Sequence, residues 1–176
     1  IPKGERLEVQ YPGIQFSQFD GAELLAEKYE ITRDELDAFA LSSHQRAWEA
    51  TQKGYFDKEI VPLNIKLEDG SAAVHTVDEG IRAEATLEGL QGLNTLREGG
   101  VITAGSASQI SDGSAAVMIA NEDAVKKFGL QVRAKIHSLA VVGSDPVIML
   151  EGPIPATQKV LEKAGLSIDD IDLYEV

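Results

Sequence analysis

The stretch "TAGSASQISDGSAAVMIAN", residues 103–121, has very little side-chain bulk and not one basic group. Ala104, Gly105, Ser106, Ala107 and Ser108 leave the backbone bare, so a narrow molecule can lie against it and bond to N–H, C=O and the serine hydroxyls. A pantetheine arm is such a molecule: long, thin, and carrying amides that need partners once they leave water. The same composition suits close packing of a helix or sheet against the backbone, and spacing alone leaves both uses open. A phosphate-cradling loop would carry glycines at fixed spacing and a lysine, and neither G-x-x-x-x-G-K nor G-x-G-x-x-G occurs. Asp112-Gly113 reads as a turn that launches the apolar strand "SAAVMIA".

On the N-terminal side, "GAELLAEKYE" from Gly21 reads as a short amphipathic helix with Leu24, Leu25 and Ala26 inward. Thr32 and Glu35 form a capping box that starts a longer helix, each side chain answering an orphan backbone N–H. Leu36, Phe39, Ala40, Ser43 and Ala47 recur at helical spacing and are expected to face the core, with His44 at the edge of that stripe and Leu41 and Trp48 on an adjacent one. Two strand-like runs, "EIVPLNIKL" and "AAVHTVD", flank "EDGS", where Asp69-Gly70 is a hairpin signal. From Asp78 to Gly100 periodicity is weak and glycine frequent, which predicts a long irregular connection of the kind that carries function.

On the C-terminal side, "EDAVKKFG" reads as a short helix ending at Gly129 and "RAKIHSLAVVG" as a strand that includes His137. In "PIPATQKVLEKAG", Pro155 suits the first turn of a helix. Ala156, Val160, Leu161 and Ala164 make its apolar face, and Gly165 suits its end. "IDLYEV" begins a further strand. Strand, helix, strand, helix, strand is the order of an α/β layer with helices covering a sheet.

The 176 residues are 43% hydrophobic, enough for one sizeable domain or two small ones. Twenty-nine acids stand against 16 bases for a net charge of −13, and no cluster of Lys and Arg could track a phosphate backbone, which argues against nucleic acid. No run approaches the roughly 18 apolar residues of a membrane span and the first residues lack the pattern of a signal peptide, so the expectation is a cytoplasmic protein. Cysteine is absent, which excludes disulfides, thiolate metal sites and a Cys nucleophile within these residues. The three scattered histidines, 44, 75 and 137, suggest no metal site. A start at Ile1 without Met and a last segment "DLYEV" that reads as an interrupted strand create the expectation of a piece of something longer.

"TRDELDAFALSSHQRA", "GYFDKEIVPL", "TAGSASQISDGSAAV" and "GPIPATQKVLEKAGLSIDDIDLYEV", in this order and at these separations, resemble the loop domain and the first part of the C-terminal domain of a thiolase, an acetyl-CoA C-acyltransferase. The resemblance runs from about residue 20 to the end and leans towards the bacterial degradative enzymes of fatty acid β-oxidation. It implies an α/β fold of the layered αβαβα thiolase type, of which this chain is an incomplete part. It places residues 1–100 in the loop domain and 101–176 at the beginning of the C-terminal domain.

The resemblance also implies a coenzyme A site, with CoA or acyl-CoA as substrate and no permanently bound cofactor. The serine of the family's AGxAS motif, which bonds the pantetheine amide, falls on Ser108, and Ala104 and Gly105 flank the pantetheine tunnel. The arginine near the adenine end falls on Arg82, with Leu87 close by; a guanidinium can both stack on a base and bond a phosphate oxygen. Where thiolases often carry LRPAF this chain has "LNTLR", 93–97, so the adenine wall departs from the pattern and Leu96 is a candidate substitute.

The cysteine nucleophile of the family would precede Ile1, and its NEAF, GHP and final Cys-Gly motifs would follow Val176, so no catalytic residue is expected in this chain. The activity implied for the parent is a two-step acyl transfer, thiolysis of 3-oxoacyl-CoA to acetyl-CoA and a shortened acyl-CoA, or the reverse Claisen condensation. The expected partners are acyl-CoA, the missing N- and C-terminal segments and further copies in a homodimer or homotetramer. The alternative is a non-catalytic thiolase-like protein that holds acyl-CoA or acts as a scaffold.

Overall fold

Thr32 stops one helix from running into the next. Its side chain accepts from the Glu35 amide while Glu35 Oε2 accepts from the Thr32 amide at 2.8 Å, so the capping box read from the sequence is formed. The computed structural model describes residues 4–111 and 116–176. Their elements in chain order are α1 (Glu5–Gln10), α2 (Gln18–Lys28), α3 (Arg33–Gln52), β1 (Leu63–Lys66), β2 (Ala72–His75), α4 (Leu87–Gln91), α5 (Glu122–Phe128) and α6 (Pro153–Ala164), with a 3-10 turn at Ile168–Asp170. The chain divides into two units, one of residues 1–25 and 110–176, the other of residues 26–109.

In the unit of residues 26–109, α3 turns only part of the expected stripe inward. Phe39 is 78% exposed and Ser43 and Trp48 are also exposed, whereas Asp37 and Ala40 are buried and Leu36, Leu41, His44 and Ala47 half-buried. The reason is an ion pair: Arg33 Nε donates to Asp37 Oδ2 at 2.7 Å, and Arg33 Nη2 donates to the backbone carbonyls of Leu90 (2.7 Å) and Leu93 (3.2 Å). A guanidinium that saturates the carbonyls at the end of α4 rotates α3 so that its charged pair, and not Phe39, meets α4. The connection from Asp78 to Gly100 is therefore not wholly irregular. Thr86 caps α4 by accepting from the Gly89 amide, and Leu90 is part of the core with Ala26, Ala40 and Ile102.

The hairpin read at Asp69-Gly70 is present. Leu63 pairs with His75 and Lys66 with Ala72, antiparallel, and the Asp69 carboxylate accepts from the Ser71 amide at 2.9 Å inside the turn.

In the unit of residues 1–25 and 110–176, Gly21 lies against the backbone of Ile148, where any side chain would collide. The helices α5 and α6 end as expected, with Gly129 and Gly165 in left-handed conformations (φ 60° and 68°) that residues with a Cβ rarely adopt. Ala156, Val160, Leu161 and Ala164 form the less exposed face of α6, as their spacing predicts. Lys159 and Lys163 reach from it to the carbonyls of Val141 (2.9 Å) and Leu139 (3.0 Å).

The strands expected at 114–120, 133–143 and 171–176 are not formed among the described residues; the Asp112-Gly113 turn and the first residues of "SAAVMIA" lie outside them. Val117 is 86% exposed, and Ile136, Leu139, Val141 and Leu173 are exposed with it, as is His137. An apolar run becomes a strand only when neighbours take up its backbone hydrogen bonds and cover its faces.

Candidate coenzyme A site

Thr103 organises the small-residue turn. Fully buried, it accepts through its carbonyl oxygen from the amides of Ser106 (3.2 Å) and Ala107 (2.9 Å) and through Oγ1 from the amide of Gly105 (3.1 Å), while its own amide donates to Ser106 Oγ at 3.0 Å. The turn thus consumes the amides of residues 105–107 and the Ser106 hydroxyl internally. On its other side Thr103 pairs with Thr95 in an antiparallel bridge, and the Leu96 amide donates to the Ile102 carbonyl at 2.8 Å, which anchors "LNTLR" beside the turn.

The small residues of the turn differ in their surroundings. A Cβ on Gly105 would stand 2.6 Å from Leu90 Cδ2 and 3.0 Å from Leu93 Cδ1, so this glycine is required by packing against α4 and the residues after it. Ala104 and Ser108 are exposed. Ser108, exposed at the end of the turn, makes no hydrogen bond to another described residue.

The next residue, Gln109, connects this turn to the Arg82 segment. Its Nε2 donates to the Gly80 carbonyl at 2.7 Å, and Gly80's amide donates to Asp78 Oδ1 at 2.8 Å. The Arg82 amide donates to His44 Nδ1 at 3.2 Å, and the Arg82 carbonyl accepts from the Ala85 amide at 3.1 Å. The Arg82 backbone is therefore held on both sides while its side chain is exposed. Leu87, 40% exposed, opens α4 five residues further on, and Leu96 is 47% exposed. The links at Gln109 and His44 went unread in the sequence. A lone His at the edge of a helical stripe and a Gln after "AGSAS" carry no local signal of what they touch 38 and 29 residues away.

An exposed hydroxyl at the end of a turn stripped of bulk, tied to an arginine presented to solvent, suits a protein that binds a thin ligand with amides along its length and an anionic or aromatic end. Comparison with known proteins gives the same direction. The family model of the thiolase N-terminal domain matches residues 20–123 and that of the thiolase C-terminal domain residues 130–176. Similar proteins include a 3-ketoacyl-CoA thiolase of Aliivibrio fischeri, 49% identical over 88% of this chain and 41% of the relative. They also include the steroid 3-ketoacyl-CoA thiolase FadA6 of Mycobacterium tuberculosis, 48% identical over 95% of this chain and 40% of the relative. Similar solved structures include human mitochondrial 3-ketoacyl-CoA thiolase (TM-score 0.79, 46% identity) and the same enzyme in complex with CoA (0.77, 45%). Each covers 88% of this chain, which spans 39% and 38% of those chains. The chain belongs to the thiolase family, and its α/β fold is an incomplete part of the thiolase fold; it spans about two fifths of the length of the curated relatives it matches.

Proposed function

We propose that these residues are the central segment of a 3-ketoacyl-CoA thiolase and supply one wall of its coenzyme A site. The observation that carries this reading is the Gln109–Gly80 hydrogen bond, which joins the turn ending at Ser108 to the Arg82 segment within one unit. Ser108 takes a pantetheine amide through its exposed hydroxyl. Ala104 keeps the approach clear beside Gly105, whose small size also serves packing, Arg82 meets the adenine or phosphate end, and Leu87 and Leu96 offer apolar surface beside it. Residues 1–100 belong to the loop domain and 101–176 to the start of the C-terminal domain.

The chemistry belongs to the complete protein. A cysteine thiolate attacks the 3-keto carbon of 3-oxoacyl-CoA, the C2–C3 bond breaks with release of acetyl-CoA once C2 is protonated, and a second CoA thiol takes the acyl group from the thioester. This chain contains no cysteine and contributes binding, not the nucleophile. A cytoplasmic location is part of the same proposal. Among the described residues no helix is long and apolar enough to cross a membrane. Assembly as a dimer or tetramer is part of the same proposal.

Calorimetric titration of the complete protein with CoA and with pantetheine tests the site. One hydrogen bond is worth about 0.5–1.5 kcal/mol, so Ser108→Ala is expected to weaken both ligands by roughly two- to twelve-fold. Unchanged affinity for both would remove Ser108 from the site.

A further inference from the structure

We propose that His44 and Gln109 are positioning residues that clamp the Arg82 segment at a set distance from Ser108, so that one CoA molecule meets both ends of the site. The inference rests on the coenzyme A reading above and adds to it the two side chains that touch no ligand.

Gln109 holds one point. Its side-chain amide donates to the Gly80 carbonyl, and a Cβ on Gly80 would stand 2.8 Å from Gln109 Oε1 and 3.0 Å from Asp78 Oδ1. His44 holds the second, two residues on, by accepting the Arg82 amide at Nδ1; in its neutral form the ring then carries its proton on Nε2. The segment between these points has little regular structure of its own, since α4 begins only at Leu87. Without the clamp, the Arg82 backbone would keep only the Ala85 amide as a partner, on a loop free to sample other positions. The cost of ordering that loop would then be charged to ligand binding. Because Gln109 directly follows Ser108, the same bond that steadies Arg82 also fixes its spacing from the pantetheine contact.

The clamp acts on the adenine end alone, which separates it from a general role in folding. In the complete protein, His44→Phe and Gln109→Leu are expected to weaken CoA by about five- to ten-fold and leave pantetheine unchanged. His44→Asn, whose Oδ1 can stand where Nδ1 stood, restores most of the loss. In a double-mutant cycle, His44→Phe adds little to Arg82→Ala, because the presented side chain is already gone. Equal loss of CoA and pantetheine, or no loss of CoA in Gln109→Leu, overturns the clamp while leaving Arg82 in the site. If Arg82→Ala itself leaves CoA affinity unchanged, the assignment of the adenine end fails and the clamp fails with it. The exposed Gln109 position keeps the test open if His44→Phe does not fold.

Discussion

At the scale of single residues, the Arg33–Asp37 pair decides more than any apolar side chain in α3. Asp37 is fully buried and one of its oxygens, Oδ1, has no hydrogen-bond partner among the described residues, so its charge depends on Arg33. Removing the guanidinium leaves a buried carboxylate alone, takes its donor from the Leu93 carbonyl and leaves the Leu90 carbonyl with the Leu93 amide. Arg33→Met is therefore expected to destabilise the protein by about 3–5 kcal/mol, measured by denaturant unfolding. The double variant Arg33→Met/Asp37→Leu is expected to recover much of that loss, because no charge is then left without a partner. A double variant as unstable as the single one would show that the packing of α3 on α4 does not depend on this charge. The sequence shows an Arg and an Asp four apart, an ordinary exposed helix pair. Only the fold reveals that α4 comes to cover them.

Among the elements, α3 is the one whose beginning was legible and whose facing was not. The capping box involves neighbours three residues apart, so Thr32 and Glu35 suffice to specify it. Which stripe turns inward depends on α4, itself hidden in a stretch whose glycines masked a five-residue helix capped by Thr86. The cap also sets a pH dependence. Hydrogen bonds from the Thr32 amide, and then from its hydroxyl, hold the Glu35 carboxyl below its ordinary value of 4.5. A carboxyl lowered by folding stabilises the folded state above its unfolded value. That contribution declines as pH falls below about 4.5 and is lost once pH has passed through the lowered folded value. Amide exchange at the start of α3 is expected to accelerate over this acidic window, beyond the intrinsic change in exchange rate. In Glu35→Gln that extra acceleration is absent, and its persistence would assign the effect to another carboxylate. At the small-residue turn, the packing role of Gly105 also needed the fold, since a Cβ there would meet Leu90 and Leu93, whereas Ser108 is exposed.

For the whole molecule, the apolar runs around Val117, Ile136 and Leu173 have the composition of sheet strands and are exposed without forming them. On the proposed reading, they complete their ladders with thiolase segments outside these residues. In the complete protein, amides of 116–120, 133–141 and 171–176 are expected to exchange at least a hundred-fold more slowly than in residues 1–176 alone. Residues 1–176 alone are expected to show no thiolysis of a 3-oxoacyl-CoA above the uncatalysed rate. Turnover by that chain, freed of any complete enzyme, would require a nucleophile other than cysteine.

Taken alone, the sequence determined whatever depends on near neighbours: the cap at Thr32, the hairpin at Asp69-Gly70, the helix ends at Gly129 and Gly165, and the order of motifs that marks the family. These features are specified within a few residues by hydrogen-bonding reach and by the conformations that each residue type permits. The tertiary structure alone decided that Asp37 is buried instead of Phe39, that Gly105 serves packing, and that His44 and Gln109 hold the backbone around Arg82. Each of these depends on a partner tens of residues away, and no local pattern records which distant backbone group a side chain will meet once the chain has folded.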